Sequence, residues 1–230
     1  MNQIDALFDR MDAWRHFPSY QLERRADLFF SLYLPEVLGA KLGFSITRKL
    51  VPEFPVRKGT IYPGKPTDSS FNIDYVALSA DGSTAILVEL KTEGLSRREE
   101  QDKYLLAARD LGLPVLLAGL LDIFRATKAK QKYFCLLEHL ANMGLLRIPD
   151  ELRAIMARPD IRGTTAASRA IEITAHTADT LIVYVQPNGV GPDIISFAEF
   201  AEVVRRHEDP VSQRFAASLR TWAAVRAGER

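Results

Sequence analysis

The sequence predicts an α/β protein: a central mixed β-sheet that contains an antiparallel meander and is flanked by helices. Three observations carry this expectation. Helix-like and strand-like apolar periods occur in one chain, two strand-like runs flank the dipeptide Asp81-Gly82, and a later run, 181–186, reads LIVYVQ and is apolar on both faces. A tight Asp-Gly turn joins neighbouring strands antiparallel, whereas a strand apolar on both faces belongs in the middle of a covered sheet.

Taken in order, residues 19–42 carry Leu22, Ala26, Phe29, Phe30, Tyr33, Leu34, Val37 and Leu38 at helical spacing, with Gly43 beyond as a stop. This predicts a helix, adjusted at Pro35. Residues 44–57 are β-rich, but Pro52 and Pro55 remove ladder donors and assign the strand to an edge. A Gly/Pro/Ser loop covers 58–70. Residues 71–79 and 84–92 are the paired strands. Ser96 stands three before Glu99, a capping box that opens a helix to about Leu111, and Gly112 ends it. Helices are expected at 115–126 and 128–146. A weaker region ends in Arg162-Gly163-Thr164-Thr165, and strands follow at 171–174 and 181–186. A second capping box, Ser196 with Glu199, opens a helix that ends near Asp209-Pro210, and a last helix follows.

With 230 residues, 47% hydrophobic and 26% charged, the chain has apolar surface enough for one core. One domain is expected over 1–230, with a C-terminal helical extension from about 197. The net charge of +1 means that nucleic-acid affinity has to come from a local basic patch. Cys135 is the only cysteine, which excludes an intrachain disulfide and fits a reducing cytoplasm. The opening MNQIDALFDRMDAW has no signal-peptide pattern. The most apolar run, 114–124, is shorter than the roughly 20 residues a bilayer requires, so no membrane association is expected.

The chemistry lies on the hairpin. If Asp81 and Gly82 form the turn, Ala80 faces Ser83, Asp74 lies opposite Glu89, and Asn72 lies opposite Lys91. Glu89 and Lys91 share a face because strand periodicity is two. Facing carboxylates repel by roughly 0.2–1 kcal/mol even when exposed, and a hard divalent cation that takes oxygen ligands is the natural compensation. Ile73, Tyr75, Ala77, Ile86, Val88 and Leu90 make the other face apolar. A lysine beside such an ion can orient water and offset phosphate charge during metal-assisted hydrolysis.

Asp74, fourteen residues containing the hairpin, then Glu89-Leu90-Lys91 resembles the PD-(D/E)XK signature of the restriction-endonuclease-like nucleases, and the element order over roughly 19–186 is similar. The resemblance implies that Asp74 and Glu89 bind metal and that Lys91 assists the nucleophile. Ile73 replaces the proline that often precedes the aspartate, and Gln101 and Tyr104 stand where one branch has Gln-x-x-x-Tyr. Many members add an acid from the first helix. Glu23 is the first candidate here, ahead of Asp27, although an acid in a first helical turn is also what the helix dipole favours.

Arg97 and Arg98 occupy a first turn, where positive charge is disfavoured and a phosphate partner would account for it. Gln101, Tyr104, Lys128 and Lys130 complete the candidate nucleic-acid contacts, with Lys132, Tyr133 and Phe134 adjoining; a solvated helix face is the alternative. The expected function is Mg²⁺- or Mn²⁺-dependent hydrolysis of nucleic acid, DNA foremost, with a homodimer allowed. The alternative is a catalytically inactive module of the same fold that binds nucleic acid or a protein partner.

Other signals lead elsewhere. Residues 59–66, GTIYPGKP, approach a phosphate-binding loop, but Pro66 stands where a hydroxyl should meet Mg²⁺. Cys135 and His139 sit four apart, yet no second pair completes a zinc site, so Cys135 is expected to be buried. His16, His176 and His207 have no neighbouring nucleophile pattern.

Overall fold

A computed structural model describes residues 2–64, 69–92 and 99–224. The strands are β1 (Val51–Arg57), β2 (Ser70–Leu78), β3 (Thr84–Leu90), β4 (Leu146–Arg147), β5 (Glu172–Ile173), β6 (Asp179–Gln186) and β7 (Ile194–Ser196). The helices are α1 (Gln3–Trp14), α2 (Leu22–Leu42), α3 (Lys58–Ile61), α4 (Glu99–Leu111), α5 (Leu113–Ala126), α6 (Lys130–Asn142), α7 (Asp150–Met156), α8 (Thr164–Ala167), α9 (Phe197–Val204) and α10 (Pro210–Ala223). A mixed five-stranded sheet has the order β1-β2-β3-β6-β7, with β1 and β2 antiparallel and β6 and β7 parallel. The α/β class is therefore observed; β6 is an interior strand, between β3 and the edge strand β7, while β3 holds the central place. Residues 171–174 do not join that sheet: β5 pairs with β4 in a separate two-stranded one.

The chain divides into two compact units, each discontinuous in sequence. One comprises Met1–Leu50, Val88–Glu99 and Ile182–Arg230; the other comprises Val51–Leu87 and Glu100–Leu181.

The first unit is built on aromatic packing. On α2, Leu22, Ala26, Phe30, Tyr33, Leu34, Val37 and Leu38 form one buried stripe, and Gly43 ends the helix at φ 80°, its N–H donating to the Gly39 carbonyl at 2.9 Å. Phe30 joins α2 to the C-terminal helices: its ring centroid lies 5.4 Å from Phe197, 5.1 Å from Phe200 and 5.3 Å from Phe215. Each fully buried phenylalanine contributes roughly 1.5–3 kcal/mol of transfer free energy. The C-terminal helices are thus part of a core and not a peripheral extension. The capping box on α9 forms, with Ser196 and Glu199 as its two members. N-terminal α1, not among the expected helices, is tied to α10: Arg214 Nη2 donates to Asp9 and Asp12 at 2.7 Å each, and Trp222 Nε1 donates to Asp12 at 2.7 Å.

In the second unit β1 pairs with β2 in a register that includes Pro52↔Tyr75, Phe54↔Ile73 and Pro55↔Asn72. Both prolines sit on β1, an edge strand of the five-stranded sheet, where proline is tolerated. Gly119 on α5 lets the helix approach Thr60 closely, since a Cβ there would lie 2.4 Å from the Thr60 hydroxyl oxygen. Among the described residues no single helix is long and apolar enough to cross a membrane; α4 and α5 together reach that length and composition only as a pair bent by 107°.

The hairpin connection differs from the expected two-residue turn. Ser79 N–H donates to the Thr84 carbonyl at 2.9 Å and Gly82 N–H to the Ser79 carbonyl at 2.9 Å, so residues 80–83 form a four-residue loop. Gly82 has φ 73°, while Asp81 is not among the positive-φ residues, so the type I′ turn, which requires both, does not form. Asp81 instead accepts from Ser79 Oγ (2.5 Å), Ser83 N–H (3.0 Å) and Ser83 Oγ (2.8 Å). The hydroxyl of Ser79, then the N–H of Ser83, hold this carboxyl down at about 2. The longer loop leaves the register unchanged at its base, since Ser79 opposite Thr84 belongs to the same pairing as Ala80 opposite Ser83.

Candidate active site

Within the first unit, the end of β3 carries a charged pair in an apolar setting. Val88, Glu89 and Leu90 are buried, and Glu89 is 1% exposed. Lys91 follows at 7% exposure, and its backbone N–H donates to the Val185 carbonyl at 2.8 Å. Strand alternation puts the side chains of Glu89 and Lys91 on one side, and Lys91 Nζ donates to Glu89 Oε1 at 2.5 Å. Taking both charges out of water costs several kcal/mol per ion, which mutual attraction offsets only when the geometry is close. Replacing a buried ion pair by hydrophobic residues of similar volume is often neutral or stabilising, so a buried pair is not by itself a stability device.

In the second unit, β2 positions Asn72 and Asp74 on one face by the same alternation, with Asn72 exposed and Asp74 half-buried. Ile73, Tyr75 and Ala77 are buried, as expected for the opposite face. Sequence reasoning missed Glu53. The ladder pairs on either side of it, Pro52↔Tyr75 and Phe54↔Ile73, set Glu53 level with Asp74 on the neighbouring strand, and Asn72 Nδ2 donates to Glu53 Oε2 at 2.9 Å. Glu53 therefore shares the face of Asn72 and Asp74. Its backbone lies at φ 49°, a left-handed conformation that non-glycine residues rarely adopt. The signal that could have found it was the position of Glu53 between Pro52 and Pro55 on the strand that neighbours Asp74.

Glu23 lies in the first turn of α2 and is half-buried at the edge of the apolar stripe, as is Asp27 one turn on. Among the described residues no three of His, Cys, Asp or Glu come together closely enough to hold a metal ion, so Glu23, Asp74 and Glu89 do not form such a set.

The candidate nucleic-acid contacts divide. Arg97, Arg98 and the capping residue Ser96 lie outside the described residues. Gln101 is half-buried; the Tyr104 ring packs on Phe71 with centroids 3.8 Å apart. Lys128 and Lys132 are exposed, whereas Phe134 is core. Lys130 is a correction: its Nζ donates to the Phe124 and Arg125 carbonyls at the end of α5 and lies 5.1 Å from the Phe124 ring centroid. It caps the carbonyl end of that helix, a structural task, and burial pushes its pKa below the ordinary lysine value. Cys135 is a second correction, because it is exposed and not buried.

Comparison with protein-family models, with curated proteins and with solved structures gives no match.

Proposed function

We propose that this chain is a metal-dependent phosphodiesterase of the PD-(D/E)XK type that hydrolyses nucleic acid, DNA foremost. The buried Glu89–Lys91 pair at the end of β3 is the observation that carries the reading. The hairpin register read from the sequence adds Asp74, and the observed pairing of Ser79 with Thr84 at the base of the loop supports that register. Bound Mg²⁺ or Mn²⁺ would supply Lewis acidity toward the scissile phosphate. Asp74 and Glu89 would hold it, and the Lys91 ammonium would orient the attacking water and offset charge building on the phosphate oxygens.

A second reading draws on a specific contact. The amine that would serve the nucleophile is 2.5 Å from the carboxylate that would serve the ion, which fits a nuclease fold that binds nucleic acid without cutting it. The two readings separate in one experiment. The purified protein is incubated with supercoiled DNA, single-stranded DNA and RNA, with Mn²⁺ or with EDTA, alongside Asp74→Asn, Glu53→Gln and Lys91→Met variants whose folding is verified by circular dichroism. A nuclease shows metal-dependent cleavage that falls by about 10²–10⁴-fold in Asp74→Asn and Lys91→Met. Metal-independent binding that survives Asp74→Asn, with no cleavage of any substrate, establishes the second reading.

A further inference from the structure

The outer face of α2 has a charge and apolar pattern that the nuclease reading does not use. Leu28 and Leu32, one turn apart, are 72% and 65% exposed and are the most exposed leucines among the described residues. At 100° per residue they share a face with Arg24 and Arg25 toward the helix start and with Pro35 and Glu36 toward its end, opposite the buried stripe through Phe30 and Leu34. Arg24, Arg25 and Glu36 are all exposed. Beside this face lies an open groove of about 1060 Å³, lined by Leu32, Pro35, Glu36, Phe44, Ile46 and Arg48 among others.

The order along the face is basic, apolar, acidic. Two pairs equidistant from residue 30 are complementary, Leu28 with Leu32 and Arg24 with Glu36, while Arg25 meets the uncharged Pro35. A helix face with that antisymmetry is its own partner when a second copy approaches antiparallel about a two-fold axis, which places leucine on leucine at the centre and an arginine by a glutamate at each end. We infer that α2 is the surface through which this protein self-associates into an antiparallel, two-fold symmetric dimer. The groove beside Glu36 then receives the partner subunit's Arg24. Glu36 also accepts the His207 Nε2 contact at 2.8 Å in the single chain, at side-chain exposures of 42% and 45%. An interaction that open to solvent is worth little, so Glu36 remains available to an arginine. A contact of one helix face belongs at the weak end of protein interfaces, with a micromolar Kd.

Sedimentation equilibrium of the full chain across the micromolar range tests this. The expected result is a monomer–dimer equilibrium that Leu32→Glu weakens by at least tenfold, about 1.4 kcal/mol. Because Leu32 is exposed, circular dichroism and thermal unfolding of that variant match those of the parent. Arg24→Glu and Glu36→Arg each weaken the dimer, and the double exchange restores it, which a merely structural role for either residue would not produce. A chain that stays monomeric throughout this range, or a dimer indifferent to Leu32→Glu and to both charge reversals, overturns the inference. Hydrolysis measurements play no part in that outcome.

Discussion

Glu89 and Lys91 form a buried ion pair whose effect on stability can be measured apart from any effect on chemistry. Both side chains are buried, so removing one partner leaves a charge without compensation at a cost of roughly 3–5 kcal/mol, whereas replacing both by hydrophobic residues of similar size is often neutral or stabilising. Lys91→Ala is therefore expected to lower the free energy of unfolding by about that amount, and Glu89→Leu with Lys91→Met to recover most of it, as read by urea denaturation. Recovery of stability without recovery of any activity would mark the pair as retained for chemistry. A double variant as unstable as the single one would mark it as architectural. At this scale the sequence was informative where alternation alone decided the answer: Glu89 and Lys91 share a side because they are two apart in a strand. It was uninformative for Lys130 and Tyr104, whose ordinary surface character in the sequence is overridden by the carbonyl end of α5 and by Phe71.

At the scale of elements, the β2–β3 connection was legible in register but not in turn type. Two-residue type I′ turns need φ > 0 at both central residues. Asp81 avoids that by accepting hydrogen bonds from Ser79 and Ser83, and a four-residue loop results. This carboxyl is held at about 2 against an ordinary value of 3.8. A depressed folded-state pKa means that the stabilisation is fully present above the unfolded value and is lost as pH falls from about 4 through about 2. An NMR titration of the Asp81 carboxyl should place its midpoint near 2 in the folded protein, and Asp81→Asn should abolish the acid-side component. A midpoint near 4 would mean that the serine contacts do not persist in solution. The short strand β7 escaped detection because it has only three residues and is defined by its parallel pairing with Tyr184 to Gln186, whereas α1, with Ile4, Leu7, Phe8 and Met11 at helical spacing, was legible in the sequence. Glu53 escaped as β7 did, since its facing residue is set by the β1–β2 ladder.

At the scale of the whole molecule, the α/β class and the interior position of β6 were legible, whereas the two-unit division was not, because no composition shift or linker marks it. The C-terminal helices give the division its clearest test. Phe215 is fully buried and lies within about ring-contact distance of Phe8, Phe30, Phe200 and Trp222. Phe215→Ala is expected to cost roughly 3–5 kcal/mol, and a chain ending at residue 196 should lose the cooperative thermal transition of the first unit. If that shortened chain melts like the full one, helices α9 and α10 are an appendage after all.

The tie between Trp222 and Asp12 spans 210 residues, and this has a consequence for biogenesis. Synthesis runs from α2 toward α10, so the aromatic cluster they share closes only after the intervening chain has emerged. Until then the Phe30 face of α2 lacks its Phe215 partner, an interval in which an exposed apolar stripe is open to a chaperone.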